Sequence, residues 1–322
     1  MAHNNTPRVA VYGQNGSTFT PITQSLGITT GDGRAIAMSP DSGYMAFGKT
    51  DSNAPFLYVF ARSGNSFVST GVSISAQPAG VVQGLDFSPD GTLLAVAHGV
   101  SPFVTVYTKS GGTFTKLTGN FDVLPTNTGN RVKFSPDGNF LLVSTNVTGV
   151  LLYQRSGNNF TKVTAAALPT NTTYSMTFTP DSAYLAIASA QSPFLFVYQF
   201  NSGAPVKVAD SANIPTAACY TINFNHTGTM LSVGTLSASP FLYTYSFSAG
   251  ALTKLPDPDV LPAGNVTGIT YTTANDYLCV GAGTTPFIYI YSISGTTFTK
   301  VADPTTLPGG PAFDISSVRI QG

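Results

Sequence analysis

The chain has 322 residues, 42% of them apolar, with 14 basic and 14 acidic residues and a formal net charge of zero. A neutral balance excludes the basic footprint of a nucleic-acid binder and the positive face that draws a protein onto an anionic membrane. Charged residues are only 9% of the chain, against roughly 25% in ordinary soluble proteins; all the acids are Asp, and the chain is rich in Thr, Ser, Asn and Gly, which disfavours helix.

Residues 1–34 open in mid-unit. Met1-Ala-His-Asn-Asn-Thr-Pro has no basic segment followed by an apolar run, so no signal peptide is expected and these residues read as a terminal tail. Thr6 to Tyr12 is a strand of the kind seen later at Ser101 to Tyr107, and Ser17 to Thr20 is the strand after it. Six internal units follow, at 35–82, 83–130, 131–174, 175–220, 221–267 and 268–311. Residues 312–322 begin a seventh.

The second of these units shows the pattern most clearly. An apolar strand ends at Phe87, and Ser88-Pro-Asp-Gly91 turns the chain, Pro fixing φ and Asp and Gly suiting turn positions. Leu93 to Ala97 is a nearly all-apolar second strand, Ser101 to Tyr107 a third, and Thr113 to Leu117 a fourth. The turn recurs as Ser39-Pro-Asp41, Ser135-Pro-Asp137 and Thr179-Pro-Asp181, and is blurred at Asn225-His-Thr227 and Thr272-Thr-Ala274. Its third positions lie at 41, 90, 137, 181, 227 and 274. Four short strands at a period of roughly 46 residues indicate a β-propeller.

The other strands repeat as regularly. Second strands such as Tyr184 to Ala188 and Met230 to Gly234 are apolar on both faces, as in a sheet sandwiched between two others. Third strands open on Pro-Phe at 55, 102, 193, 240 and 286, where Pro is tolerated as a strand's first residue. Fourth strands carry Lys116, Lys162, Lys207, Lys254 and Lys300, a charged rim that blocks stray edge pairing. Linkers of about 10–18 residues, most with Leu-Pro or a near match, join each unit to the next and are the expected binding surface.

The expected fold is therefore all-β, a seven-bladed propeller whose closing blade is shared by both termini. Val318-Arg-Ile320 is read as its innermost strand, with Phe313-Asp-Ile315 as the alternative, and three strands are expected in that blade.

The Ser-Pro-Asp-Gly turn, followed by Leu-Leu-Ala-Val and a strand ending Val-Tyr, resembles the WD-repeat and lactonase-like seven-bladed propellers over nearly the whole chain. Tyr107, Tyr153, Tyr198, Tyr245 and Tyr291 stand where the WD pattern has Trp-Asp, and there is no Trp. The lactonase likeness implies sugar-lactone hydrolysis, but it transfers no catalytic residue. The near-identical, charge-poor repeats also look like bacteriophage virion proteins, which implies a structural component of the head, collar or tail.

The residues offer little chemistry. His3, His98 and His226 lack partners at metal-ligand spacing. Asp41, Asp90, Asp137 and Asp181 are turn residues repeated by the architecture. Asp257-Pro-Asp259 reads as a solvated loop and Gly31-Asp-Gly33 as a turn. Cys279 takes a small core position, and Cys219 precedes an inner strand. No catalytic residue, metal or cofactor is expected. The middle residues of the inner strands are Ala37, Asp86, Lys133, Thr177, Asn223, Thr270 and Arg319. These are expected to line a wet central channel, with an Asp86–Lys133 ion pair between adjacent blades.

The function expected is thus a non-catalytic binding propeller in a phage particle, presenting loops to other virion proteins or to a host surface. A cytoplasmic interaction scaffold and a lactonase-like hydrolase are the alternatives.

Overall fold

The computed structural model describes residues 1–3, 8–24, 26–28, 30–51, 53–164, 168–201, 204–237 and 239–317. Among them the regular elements are all β-strands, and no helix is long and apolar enough to cross a membrane. Six sheets follow one another, each with four antiparallel strands in chain order, and the second gains a fifth strand, Ser73–Ile74, parallel at its outer edge. Their innermost strands are Gly33–Met38, Val82–Phe87, Gly129–Phe134, Thr173–Phe178, Cys219–Phe224 and Val266–Tyr271. Each neighbours the next, and Ala312–Asp314 stands between the last and the first. The sheets are the blades of a propeller-like ring.

The repeated turn explains why each blade forms. In the second blade the Ser88 hydroxyl donates to Asp90 Oδ1 at 2.5 Å and accepts from the Leu93 amide at 2.9 Å. Asp90 Oδ1 also accepts from the Thr92 amide at 3.0 Å. The polar groups of the turn are thus satisfied locally, so the chain can reverse beside a buried strand without orphaned donors. Basic residues tie one blade's turn to the next blade: Arg155 reaches Asp90 at 2.8 Å and Lys109 reaches Asp41 at 3.4 Å.

Second strands carry most of the core. Leu93–His98 is buried throughout. Leu94 and Val96 join the cluster shared with the preceding blade, and Leu93 and Ala95 the cluster shared with the following one. The fifth place must be small, because the next inner strand begins against it. A Cβ on Gly48 would come within 2.3 Å of Val82, and one on Gly281 within 2.8 Å of Ala312.

Two local expectations are corrected. Pro55, Pro102, Pro193, Pro240 and Pro286 follow cis bonds and sit in the turn before the third strand, which starts two residues later, at Val104 in the second blade. Three of the outer lysines are also only partly solvated, whereas Lys162 is exposed. Lys207, Lys254 and Lys300 pair with Asp210, Asp257 and Asp303 and lie over Phe196, Tyr243 and Tyr289. Incoming linkers help cover the outer edges: Ser73–Ile74 pairs in parallel with Thr113–Lys116, the fourth strand of the blade it leads into, and Asp259 Oδ1 accepts from the Lys300 amide at 2.7 Å.

The chain ends differ most from expectation. The closing strand is Ala312–Asp314, and Val318 to Ile320, read as innermost, lie outside the described residues. Ala2–His3 pairs antiparallel with it, so His3 is a buried strand residue and 1–34 holds more than outer strands. On its other side Ala2 bridges Val9, and Val11–Asn15 continues to pair with Thr18–Ile22. The sequence signal was present. Ala2-His3 precedes Thr6-Pro7 at the spacing by which Ala97-His98 precedes Ser101-Pro102.

Candidate functional site

A cavity of about 830 Å3 is lined by Ala37, Asp86, Lys133, Thr177, Asn223 and Thr270, all from the innermost strands. Arg319, also expected here, lies outside the described residues. Ser316 lines the cavity instead. Its position follows from the repeat: every inner strand after the first begins four residues after a linker Pro, as Gly129 does after Pro125 and Ala312 after Pro308.

These side chains sit in the middle of short strands, between apolar neighbours that pack into the blades. In every blade with a described residue at this place but the first, where it is Ala37, the sequence therefore aims a polar group at the axis, and most of these groups reach sideways to the next blade. Asp86 binds Lys133 at 3.1 Å, and its second oxygen accepts from the Phe134 amide at 2.8 Å. Thr177 Oγ1 accepts from the Phe224 amide at 3.4 Å, and the Asn223 side-chain amide donates to the Ile269 carbonyl at 3.2 Å. Thr270 meets Ser317 at 3.2 Å, and Ser317 donates to the Tyr271 carbonyl at 2.6 Å. Asp314 ties the closing strand to the first blade, accepting from the Ile36 amide at 3.0 Å.

The electrostatics fit this latching role. Burial pushes the Asp86 carboxyl above its usual range, with Lys133 and the Phe134 amide pulling the other way. Burial likewise raises Asp314, against the pull of Arg131 and the Ile36 amide. Arg131 itself donates to the carbonyls of Gln83, in the preceding blade, and Asn130.

The other candidates are placed as follows. His98 is buried, with Nε2 at 2.9 Å from Thr105 Oγ1, and burial lowers its pKa to about 4. Burial, the chain's own amino terminus and Arg8 lower His3 to about 4 as well. His226 is exposed at the cavity rim. Cys219 and Cys279 are buried free thiols, each pushed up to about 12 by burial and so held as the unreactive thiol at neutral pH. Asp257 pairs with Lys254, and Asp259 accepts from the amides of Val260 and Lys300. Among the described residues no three His, Cys, Asp or Glu side chains group as a metal site.

The fold places the chain in the class of β-propellers. Compared with known proteins, it matches no family model and no curated sequence.

Proposed function

We propose that this protein is a non-catalytic, seven-bladed propeller that serves as a rigid binding platform in a bacteriophage particle. The seventh blade is the split one: Ala312–Asp314 innermost, then Ala2–His3, Val11–Asn15 and Thr18–Ile22. Tyr12 supports this count. Its hydroxyl donates to Thr306 in the incoming linker at 3.1 Å, as Tyr107 donates to Ala76, Tyr245 to Asn213 and Tyr291 to Val260 in theirs.

The observation that carries the platform reading is the set of latches on the axis. Polar groups that a hydrolase would aim at a substrate are engaged with neighbouring blades, which favours rigidity over chemistry. The particle assignment draws on the charge-poor, Thr/Ser/Asn/Gly-rich repeats. The partners proposed are other virion proteins or a host surface, met by the inter-blade loops. Quantitative peptide mass spectrometry of density-purified particles is the test. A fixed copy number per particle is expected, and particles lacking the chain overturn the assignment.

A further inference from the structure

The second place of every inner strand is a bulge. In the second blade Val82 pairs with His98 and Gly84 with Ala97, so Gln83 is left as an extra residue between them. The same slip leaves out Arg34, Asn130, Tyr174, Tyr220, Thr267 and, in the closing strand, Phe313. A bulge repeated at one level re-aims one side chain from each strand. The residue before it is buried in every blade, whereas the bulged residue is half-buried, apart from Tyr220 at 9% exposed. These residues lie at the end of the axis where the linkers enter.

Their contacts run from blade to blade and form a collar. The Arg34 guanidinium carbon lies 5.6 Å from the centre of the Phe313 ring, and Arg34 Nε donates to Gln83 Oε1 at 3.2 Å. Asn130 Nδ2 donates to the Thr173 carbonyl at 3.4 Å. The Tyr174 and Tyr220 rings are 5.1 Å apart. Arg131, one place further along its strand, brings a second guanidinium to Gln83, donating to its carbonyl.

The collar keeps open binding capacity. Among the described residues neither Arg34 nor Arg131 makes an ion pair. Asp314 acts on Arg131 only from beyond that range, and Lys133 is already paired with Asp86. Gln83 Nε2 is an open donor, because only the oxygen of that amide is engaged. The Tyr174 and Tyr220 hydroxyls have no hydrogen-bond partner among the described residues.

We propose that this collar binds an acidic saccharide, a short run of sugar rings carrying a carboxylate. Guanidinium N–H groups beside a primary amide match a carboxylate in charge and in shape. Tyr174 and Tyr220 sit three and four blades round from Arg34, across the axis. Their ring faces suit the C–H face of a sugar, and their hydroxyls suit its polar edge. An inorganic anion would use Arg34 and Gln83 without the tyrosines, and a neutral saccharide would use the tyrosines without Arg34. The latches lie three places further along each strand, so the collar is separate from them. The inference is also independent of the particle assignment.

The probes are trigalacturonate and sialyllactose, compared with their neutral counterparts galactotriose and lactose and with acetate. Saturation-transfer NMR with the intact protein is expected to show saturable binding of an acidic probe, at least about tenfold tighter than its neutral counterpart and than acetate. Arg34→Gln and Tyr174→Leu, with unchanged thermal midpoints, are each expected to weaken that binding at least about tenfold. Absence of saturable binding of both acidic probes up to about 10 mM overturns the proposal. Binding that both variants leave unchanged places the saccharide elsewhere and overturns the collar. Acetate binding as tightly as the acidic probes would mean a site for small anions only, which also overturns it.

Discussion

Asp86 holds two groups of the neighbouring blade, Lys133 at 3.1 Å and the Phe134 amide at 2.8 Å. Asp86→Ala leaves that amide without its partner and is expected to cost about 1–3 kcal/mol, whereas Asp86→Asn keeps an acceptor and costs about 1 kcal/mol or less. Urea unfolding of both variants checks this, and equal losses would show that the amide bond contributes nothing. The polar character of this position was legible in the sequence, because it breaks an apolar run in blade after blade. Its direction was not, because reaching sideways depends on how closely adjacent blades approach.

The buried histidines make a separate prediction at this scale. His3 and His98 are lowered to about 4 in the folded protein, while an unfolded histidine titrates near 6.5. Between these values the unfolded chain binds more protons, so stability present above about pH 6.5 is lost as pH falls toward 4. Thermal midpoints should drop from pH 7 to pH 5, the raised carboxyls of Asp86 and Asp314 offsetting part of the fall, and His98→Gln should make the drop shallower. An unchanged slope in the variant would assign it to other groups. The turn aspartates Asp41, Asp90 and Asp181, held low by hydroxyl and amide hydrogen bonds against desolvation, act only below this window.

Single elements were legible to different degrees. Second strands were readable from composition because both faces are buried, so each is an unbroken apolar run. The Ser-Pro-Asp turn was readable because its donors and acceptors are satisfied within six residues, as Ser88 and Asp90 show. The start of the third strand was misplaced. Pro102-Phe103 looks like a strand opening, yet Phe103 has a φ of 67° and closes a turn on Val100. Linkers were expected to be free surface, but several pack back on the fourth strand, as Ser73–Ile74 does. A parallel pairing with no turn signal leaves no local mark in sequence.

The ring as a whole depends on its closure. Ala312–Asp314 packs between the sixth and first inner strands, and Ala2–His3 pairs only with it and Val9 among the described residues. Ending the chain at Pro311, or starting it at Asn4, should each lower stability by at least about 3 kcal/mol. Because the two segments complete one sheet, the double truncation should lose clearly less than the sum of the two. Calorimetry of the three shortened chains tests this, and additive losses would mean that the ends act independently.

The sequence alone determined the repeat, the strand order within a blade and the polar residue facing the axis. These are written in local spacing, in turn chemistry and in the burial period of a strand. Only the tertiary structure decided which terminal residues share a sheet and which polar groups latch neighbouring blades. Those are relations between residues as many as 312 positions apart, as between Ala2 and Asp314, and no local propensity specifies them.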